Sequence, residues 1–276
     1  MGQYWFEERL ICSMATPKIM ITLDVEECDI PLEYGFEISL EEQLEVSRKG
    51  LKIFMELVDA LEIPITIFCT GVFAENNPLW ISGLHPRHEL ASHGYFHGSF
   101  DAKKDLKSSK ELLEELSGRK VTGFRMARMQ YVDEKEIKLA GYQYHSSLNP
   151  TWIPGRYDHR DKPTIPFFEH GLWNVPASVT PNTRIPLFWL AFKNFPLWFF
   201  TYLSHICLRK NRFLNLYFHP WEFADLSAYP LPFHVKRGHG GALKAKLESY
   251  VKGLQKENSA NFITMNEYIK NLSDGK

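Results

Sequence analysis

Two histidines four residues apart, His93 and His97 in ELASHGYFHGSF, are spaced so that they could share one ligand. One helical turn or a tight loop can aim both imidazoles at a point, and imidazole nitrogen is a common ligand for zinc. Gly94 relieves crowding inside the pair. Alone the spacing says little, because a chain with 11 histidines repeats it by chance. A second feature lies upstream, where ITLDVEE brings Asp24, Glu26 and Glu27 together. On an extended backbone Asp24 and Glu26 share a face while Val25 points into the wall. Two carboxylates on one side can divide labour: one binds a cation and the other stays free as a base, since the cation stabilises the ionised form of both. Without the histidines, these acids would read as a solvated loop end.

Two further residues leave apolar, strand-like runs. Arg125 in GFRMARMQY carries a planar fork that can clamp a carboxylate and hold it ionised; otherwise it is a surface arginine. His219 follows LNLYF directly. A histidine there can protonate a leaving group, because its ordinary pKa lies near neutrality; the bland alternative is a packed core histidine.

The elements that position these residues alternate in type. From Lys18, IMITLDVEE reads as a buried strand delivering its acids at the C-terminal end. Ser39 to Glu62 has helical spacing, opened by a Ser39 cap with Glu42 three residues on. Ile63 to Thr70 reads as the next strand, which makes a parallel, right-handed βαβ unit. Asp101 to Leu116 is an amphipathic helix, VTGFRMA a strand and its exit, and Asp133 to Ala140 a helix before YQYHSSL. NRFLNLYFHPWEF then reads as a strand, Leu243 to Leu254 as a helix, and NFITM as a last apolar stretch. In parallel α/β folds the strand C-termini form the mouth where sites are built.

The 276 residues, 44% hydrophobic and 24% charged, suit one globular domain over 1–276 with its core at about 18–270. A net charge of -1 with scattered Lys and Arg offers no field for a nucleic-acid backbone. Cys12, Cys28, Cys69 and Cys207 form no CxxC pair, so reduced thiols are expected. The opening MGQYWFEERLICSMATPK lacks a basic start followed by a long apolar run, so no secretory leader is expected and a cytoplasmic location is. Residues 185–208 are apolar and aromatic, but Lys193, Asn194, Pro196 and His205 break them. That pattern argues against a membrane span and for an internal cap or packed helix pair, with peripheral membrane contact or a dimer surface as alternatives.

In order, these four motifs resemble the polysaccharide deacetylase family, the NodB-type carbohydrate esterases, over roughly Met20 to Met265. The family's first motif usually reads TFDDG; TLDVEE looks like a branch with Asp-Val-Asp/Glu. The resemblance implies a distorted (β/α) barrel and a divalent metal on Glu26, His93 and His97, most often zinc, with cobalt or nickel possible. It also implies Asp24 as base, Arg125 as its clamp, His219 as acid, and an oxyanion donor among the backbone N–H groups of Met126 to Met129. Acetate would leave an N-acetylated sugar, either a polysaccharide or a nucleotide- or lipid-linked precursor, and residues 187–200 are the candidate contact for a lipid carrier. Two positions depart from the family. Ala127 stands where it carries Pro, and His145 aligns where it carries the Asp that orients the late histidine, leaving Glu222 as a substitute partner. Trp152, Trp173 and Trp221 suit sugar faces, and Trp221, Tyr131 and Trp152 are the candidate substrate contacts. Allantoinase-like cyclic amide hydrolysis and a non-catalytic carbohydrate-binding protein are the competing readings.

Overall fold

The run KIMITLDV forms the central strand β1 (Lys18–Val25), and parallel strands covered on both faces are apolar throughout. In the computed structural model, residues 16–98, 100–257 and 260–274 are described. The first fifteen residues, Cys12 among them, lie outside the described residues, as does the leader reading made on that stretch. Cys28, Cys69 and Cys207 are free buried thiols.

Along β1 the residues alternate between two layers. Ile19, Ile21, Leu23 and Val25 face outward into the core under the helices. Met20 faces an inner core, and Thr22 and Asp24 continue that inner face towards the mouth. The remaining strands are β2 (Thr66–Cys69), β3 (Glu89–Ser92), β4 (Gly123–Phe124), β5 (Tyr144–His145), β6 (Trp152–Ile153), β7 (Tyr157–Asp158), β8 (Phe167–Glu169), β9 (Leu172–Asn174), β10 (Phe213–Phe218) and β11 (Asn261–Phe262). The main sheet runs β10-β1-β2-β3-β4-β5-β9-β8, with β11 also paired to β1. All its pairings are parallel except β8 with β9. Beyond β9 the chain reaches β10: Ser178 N–H donates to Asn215 C=O at 3.0 Å, and Asn215 N–H donates to Ser178 Oγ at 2.8 Å. The sheet is thus a curled half-barrel, the distorted (β/α) barrel expected.

Four strand features escaped the sequence pattern. β2 begins at Thr66 rather than Ile63, after Pro64, which has no N–H for a ladder. β3 is too short for its alternation to show, and the β6–β7 hairpin and the β8–β9 return add no long apolar run.

Helix α1 (Leu40–Ala60) starts where expected, with Ser39 Oγ accepting from Glu42 N–H. Further helices are α2 (Ala102–Ser117), α3 (Glu134–Leu139), α4 (Trp189–Asn194), α5 (Leu197–Lys210), α6 (Gly241–Glu257) and α7 (Met265–Asp274). Residues 185–208 are the packed pair α4–α5, parted at Pro196, with Phe192 and Phe200 set edge-on against Tyr250 of α6. No helix among the described residues is long and apolar enough to cross a membrane. Met265, Tyr268, Ile269 and Leu272 of α7 join Met20 and Phe213 in the inner core, which plugs the barrel opposite the mouth.

Gly50 shows how α1 sets the site. A Cβ there would lie 1.8 Å from the Pro220 carbonyl oxygen, at the turn that carries His219 and Trp221. Gly50→Ala gains about 1 kcal/mol of helix propensity but incurs about 1–3 kcal/mol of overpacking, so the melting temperature is expected to fall. A higher melting temperature in a calorimetric scan would show that the turn yields freely.

Candidate active site

The strand ends gather the four motifs. β3 stops at Ser92, His93 N–H donates to Cys69 C=O at 2.9 Å, and Gly94 at φ +83 turns the chain in the left-handed region that glycine tolerates best. The histidine pair therefore sits on a tight loop after a strand, the second of the two geometries its spacing allowed. His93 Nε2 lies 3.1 Å and His97 Nε2 2.9 Å from the same Glu26 oxygen, Oε2. The Nδ1–H of His93 donates to the Arg125 carbonyl at 2.9 Å, and that of His97 to Asp29 Oδ2 at 2.7 Å. Metal-binding histidines characteristically give their far nitrogen to such an oxygen, which orients the ring and keeps the near nitrogen on the ion. The ligand atoms of Glu26, His93 and His97 all lie within 4.8 Å of one another, and all three residues are at least nine-tenths buried. This donor set fits a small divalent cation.

The field at the cluster is anionic. Burial would raise the Glu26 pKa, but His97, His219 and His93 hold it well below the usual carboxylate value. Burial would lower that of His97, but Glu26 and Asp29 push it up to about 10. Glu27 takes no part; it faces away and accepts from Thr70 Oγ1 at 2.8 Å.

Arg125 is fully buried and spans the barrel interior. Its NH1 donates to Asp24 Oδ1 at 2.6 Å and to Thr22 Oγ1 at 2.7 Å, while Nε and NH2 donate to the carbonyl and Oγ of Ser146 at 3.0 and 2.9 Å. The guanidinium lies over the Phe68 ring, 4.1 Å from its centroid. Asp24 is thus fixed by a desolvated cation that is itself held on several sides.

His219 caps the turn after β10. Its backbone N–H and its Nδ1–H both donate to Glu222 Oε1, at 2.8 and 3.1 Å, and its ring stacks on Trp221 with centroids 5.0 Å apart. Burial would lower its pKa, yet Glu26, Glu222 and Asp24 together carry it above the ordinary histidine value. The alignment of His145 with an orienting acid is corrected here. His145 ends β5 on the outer face, with Nε2 3.6 Å from Glu134 Oε1, and it is the next residue, Ser146, that points inward to Arg125. With a period of two, one position decides the face. The carboxylate beside His219 is Glu222.

The fold has counterparts among solved structures. A protein from Mycobacterium smegmatis assigned as a polysaccharide deacetylase is 20% identical, with a TM-score of 0.66, over 94% of this chain and 91% of that one. A second such protein, from Pseudomonas aeruginosa PAO1, is 15% identical, with a TM-score of 0.63, over 92% and 90%. The chain has the polysaccharide deacetylase fold. The Puue allantoinase shares it, at 16% identity and a TM-score of 0.60 over 92% and 89% of the two chains. No protein-family model and no curated protein matches the sequence.

In this deacetylase-fold chain the mouth holds a cavity of about 300 Å³, bordered by Asp24, Glu26, His93, His97 and His219. One wall is aromatic: Phe188 and Trp189 from the start of the α4–α5 segment, with Tyr217 and Trp221. Of the candidate substrate contacts, the structure brings only Trp221 to this wall, where its indole N–H also donates to Glu26 Oε1 at 3.2 Å. Tyr131, 90% exposed, lines an adjoining depression with Arg128 and Arg156. Trp152 is 54% exposed under Arg160, while its neighbour Ile153 faces the cavity. Trp173 belongs to the inner core.

Sequence reasoning missed Asp29, which holds His97 and accepts from Arg128 NH2 at 2.8 Å. Its place three residues after Glu26 was the available signal. Arg128, at φ +55, and Met129, at φ +53, were missed as well, since nothing in MARMQ foretells left-handed backbone.

Proposed function

We propose that the protein is a metal-dependent hydrolase that removes an acetyl group from an N-acetylated sugar. The observation that carries this is the convergence of Glu26, His93 and His97 beside a base clamped by Arg125, with His219 at the end of the adjacent strand β10 lining the same cavity. The two-imidazole, one-carboxylate set suits zinc, with cobalt or nickel as alternatives. Bound there, the ion would supply Lewis acidity to the acyl carbonyl and to the attacking water.

The residues of the chain do the rest. Asp24 accepts the proton of the water, and Arg125 keeps the carboxylate in place to do so. Within Met126 to Met129, the Met126 N–H is taken by Ser147 Oγ and the Met129 N–H by the Met126 carbonyl. An oxyanion donor must then come from Ala127 or Arg128. His219 delivers a proton to the departing amine. The Phe188–Trp189–Tyr217 wall offers flat apolar surface to a sugar face.

Metal analysis tests the reading directly. About one equivalent of zinc per chain is expected, lost in His93→Ala/His97→Ala together with acetate release from acetylated sugars and nucleotide sugars. No metal after incubation with zinc, cobalt and nickel would favour a non-catalytic carbohydrate-binding protein. Turnover of cyclic amides without acetate release would favour the allantoinase-like reading. A lipid-linked substrate would bring α5 near a bilayer through Trp198, 72% exposed, and Tyr202; failure to sediment with neutral and anionic vesicles removes that version.

The pH profile tests the acid. With the Glu26 charge offset by a bound cation and Asp24 paired with Arg125, Glu222 is the carboxylate bonded to His219 that holds it protonated. A histidine whose pKa is raised stays an acid to higher pH, so Glu222→Gln is expected to move the alkaline limb of kcat/KM downward. An unmoved limb removes Glu222 from the mechanism.

A further inference from the structure

The α4–α5 segment is aromatic, yet it sends one cation inward. Lys193 of α4 is 4% exposed, and its side chain is fully buried. An ammonium group is costly to bury unless an anion or strong acceptors compensate it. Its Nζ donates to the Val235 carbonyl at 2.5 Å and lies 3.7 Å from Glu222 Oε2, between the rings of Trp189 and Trp221 at 5.6 and 5.9 Å. Glu222 is equally buried: His219 takes Oε1 twice, and Oε2 has Lys193 as its ion-pair partner with no hydrogen bond of its own. Asp24 of β1 and Glu26 just after it act on His219 through space, whereas Glu222 is the carboxylate bonded to Nδ1.

We infer that Lys193 is a positioning residue for His219, acting through Glu222, so that the aromatic segment completes the proton donor as well as walling the cavity. The inference rests on the reading of His219 as that donor. A carboxylate at Glu222 can only accept, so it fixes the proton of a neutral His219 on Nδ1 and leaves Nε2 as the ring nitrogen available to the cavity. Without the buried cation, Oε2 of Glu222 loses its ion-pair partner and the carboxylate is no longer held against the ring. The preference for a proton on Nδ1 then weakens, and support is withdrawn from the imidazolium form.

Lys193→Gln tests this in the full-length, zinc-loaded protein, because glutamine removes the charge while keeping an N–H for Val235. Nitrogen-15 spectra of the imidazoles at alkaline pH are expected to show His219 as the Nδ1–H tautomer in the natural protein and as a mixture with Nε2–H in Lys193→Gln. The variant should lose about 10–100-fold in kcat with KM nearly unchanged, as outer partners of a catalytic group do. Lys193→Arg should restore the tautomer and most of kcat. An Nε2–H tautomer in the natural protein overturns the inference, even if Lys193→Gln fails to fold. So does a folded Lys193→Gln that keeps the Nδ1–H tautomer and full kcat, or one whose loss persists undiminished in a Glu222→Gln background. The spectra need no substrate: the expected tautomers without hydrolysis of any acetylated sugar would uphold the coupling and sink the deacetylase reading alone.

Discussion

Replacing Asp24 with asparagine is expected to lower kcat by about 10²–10⁴-fold, the usual contribution of a positioned general base. Zinc should stay bound, because the ligand atoms belong to Glu26, His93 and His97. Asparagine matches aspartate in size, and its carbonyl oxygen can still accept from Arg125 NH1, which now lies 2.6 Å from Asp24 Oδ1. What it loses is basicity. The substitution also leaves a buried guanidinium without its anion, and breaking a buried pair costs about 3–5 kcal/mol. Thr22 and Ser146 continue to accept from Arg125 and limit the damage. The decisive comparison is therefore acetate release against zinc content in protein shown to be folded by circular dichroism. Full activity in Asp24→Asn would remove Asp24 as the base and shift attention to Asp29, which also lines the cavity. Loss of zinc along with activity would mean that Asp24 helps to hold the ion, and its separate role would fall.

How much of this was legible in the sequence depended on whether the signal was local. The alternation of β1 placed Asp24 and Glu26 on one face because a strand of that length states its period clearly. Ser39 and Glu42 marked the start of α1 for the same reason: the cap is made within four residues. Strand β5 has only two residues and no period to check against, so the alignment of His145 with the family's orienting Asp could not be tested for its face, and it is Ser146 that points inward. Lys193 was legible only as a break in an apolar run. Its partner Glu222 lies 29 positions away in sequence, beyond any pattern local to the helix. Asp29 and Arg128 meet across 99 positions, from the loop after β1 to the strained turn after β4. Chemistry that repeats at short intervals could be read from the residues, whereas pairings made by the closing of the barrel were reached only where the resemblance to a family supplied them, as for Asp24 with Arg125.

Arg125→Met is expected to produce the largest loss of stability of any single change in the barrel, about 3–5 kcal/mol, because it leaves Asp24 buried and unpaired. Methionine keeps much of the length and the apolar contact beneath Phe68 and Tyr217, so the loss reports charge and hydrogen bonding more than packing. A domain is stable by only about 5–15 kcal/mol, so such a loss should be plain in a urea titration. Lysine is not a conservative replacement, since one ammonium cannot reach Asp24, Thr22 and both Ser146 acceptors at once. The double variant Arg125→Met/Asp24→Asn should recover part of the stability and none of the turnover, because it removes the stranded charge and the base together. That split separates the two roles of the pair. If Arg125→Lys proved as stable and as active as the natural protein, the guanidinium would be only one of several cations able to hold the base, and the clamp would lose its claim to specificity.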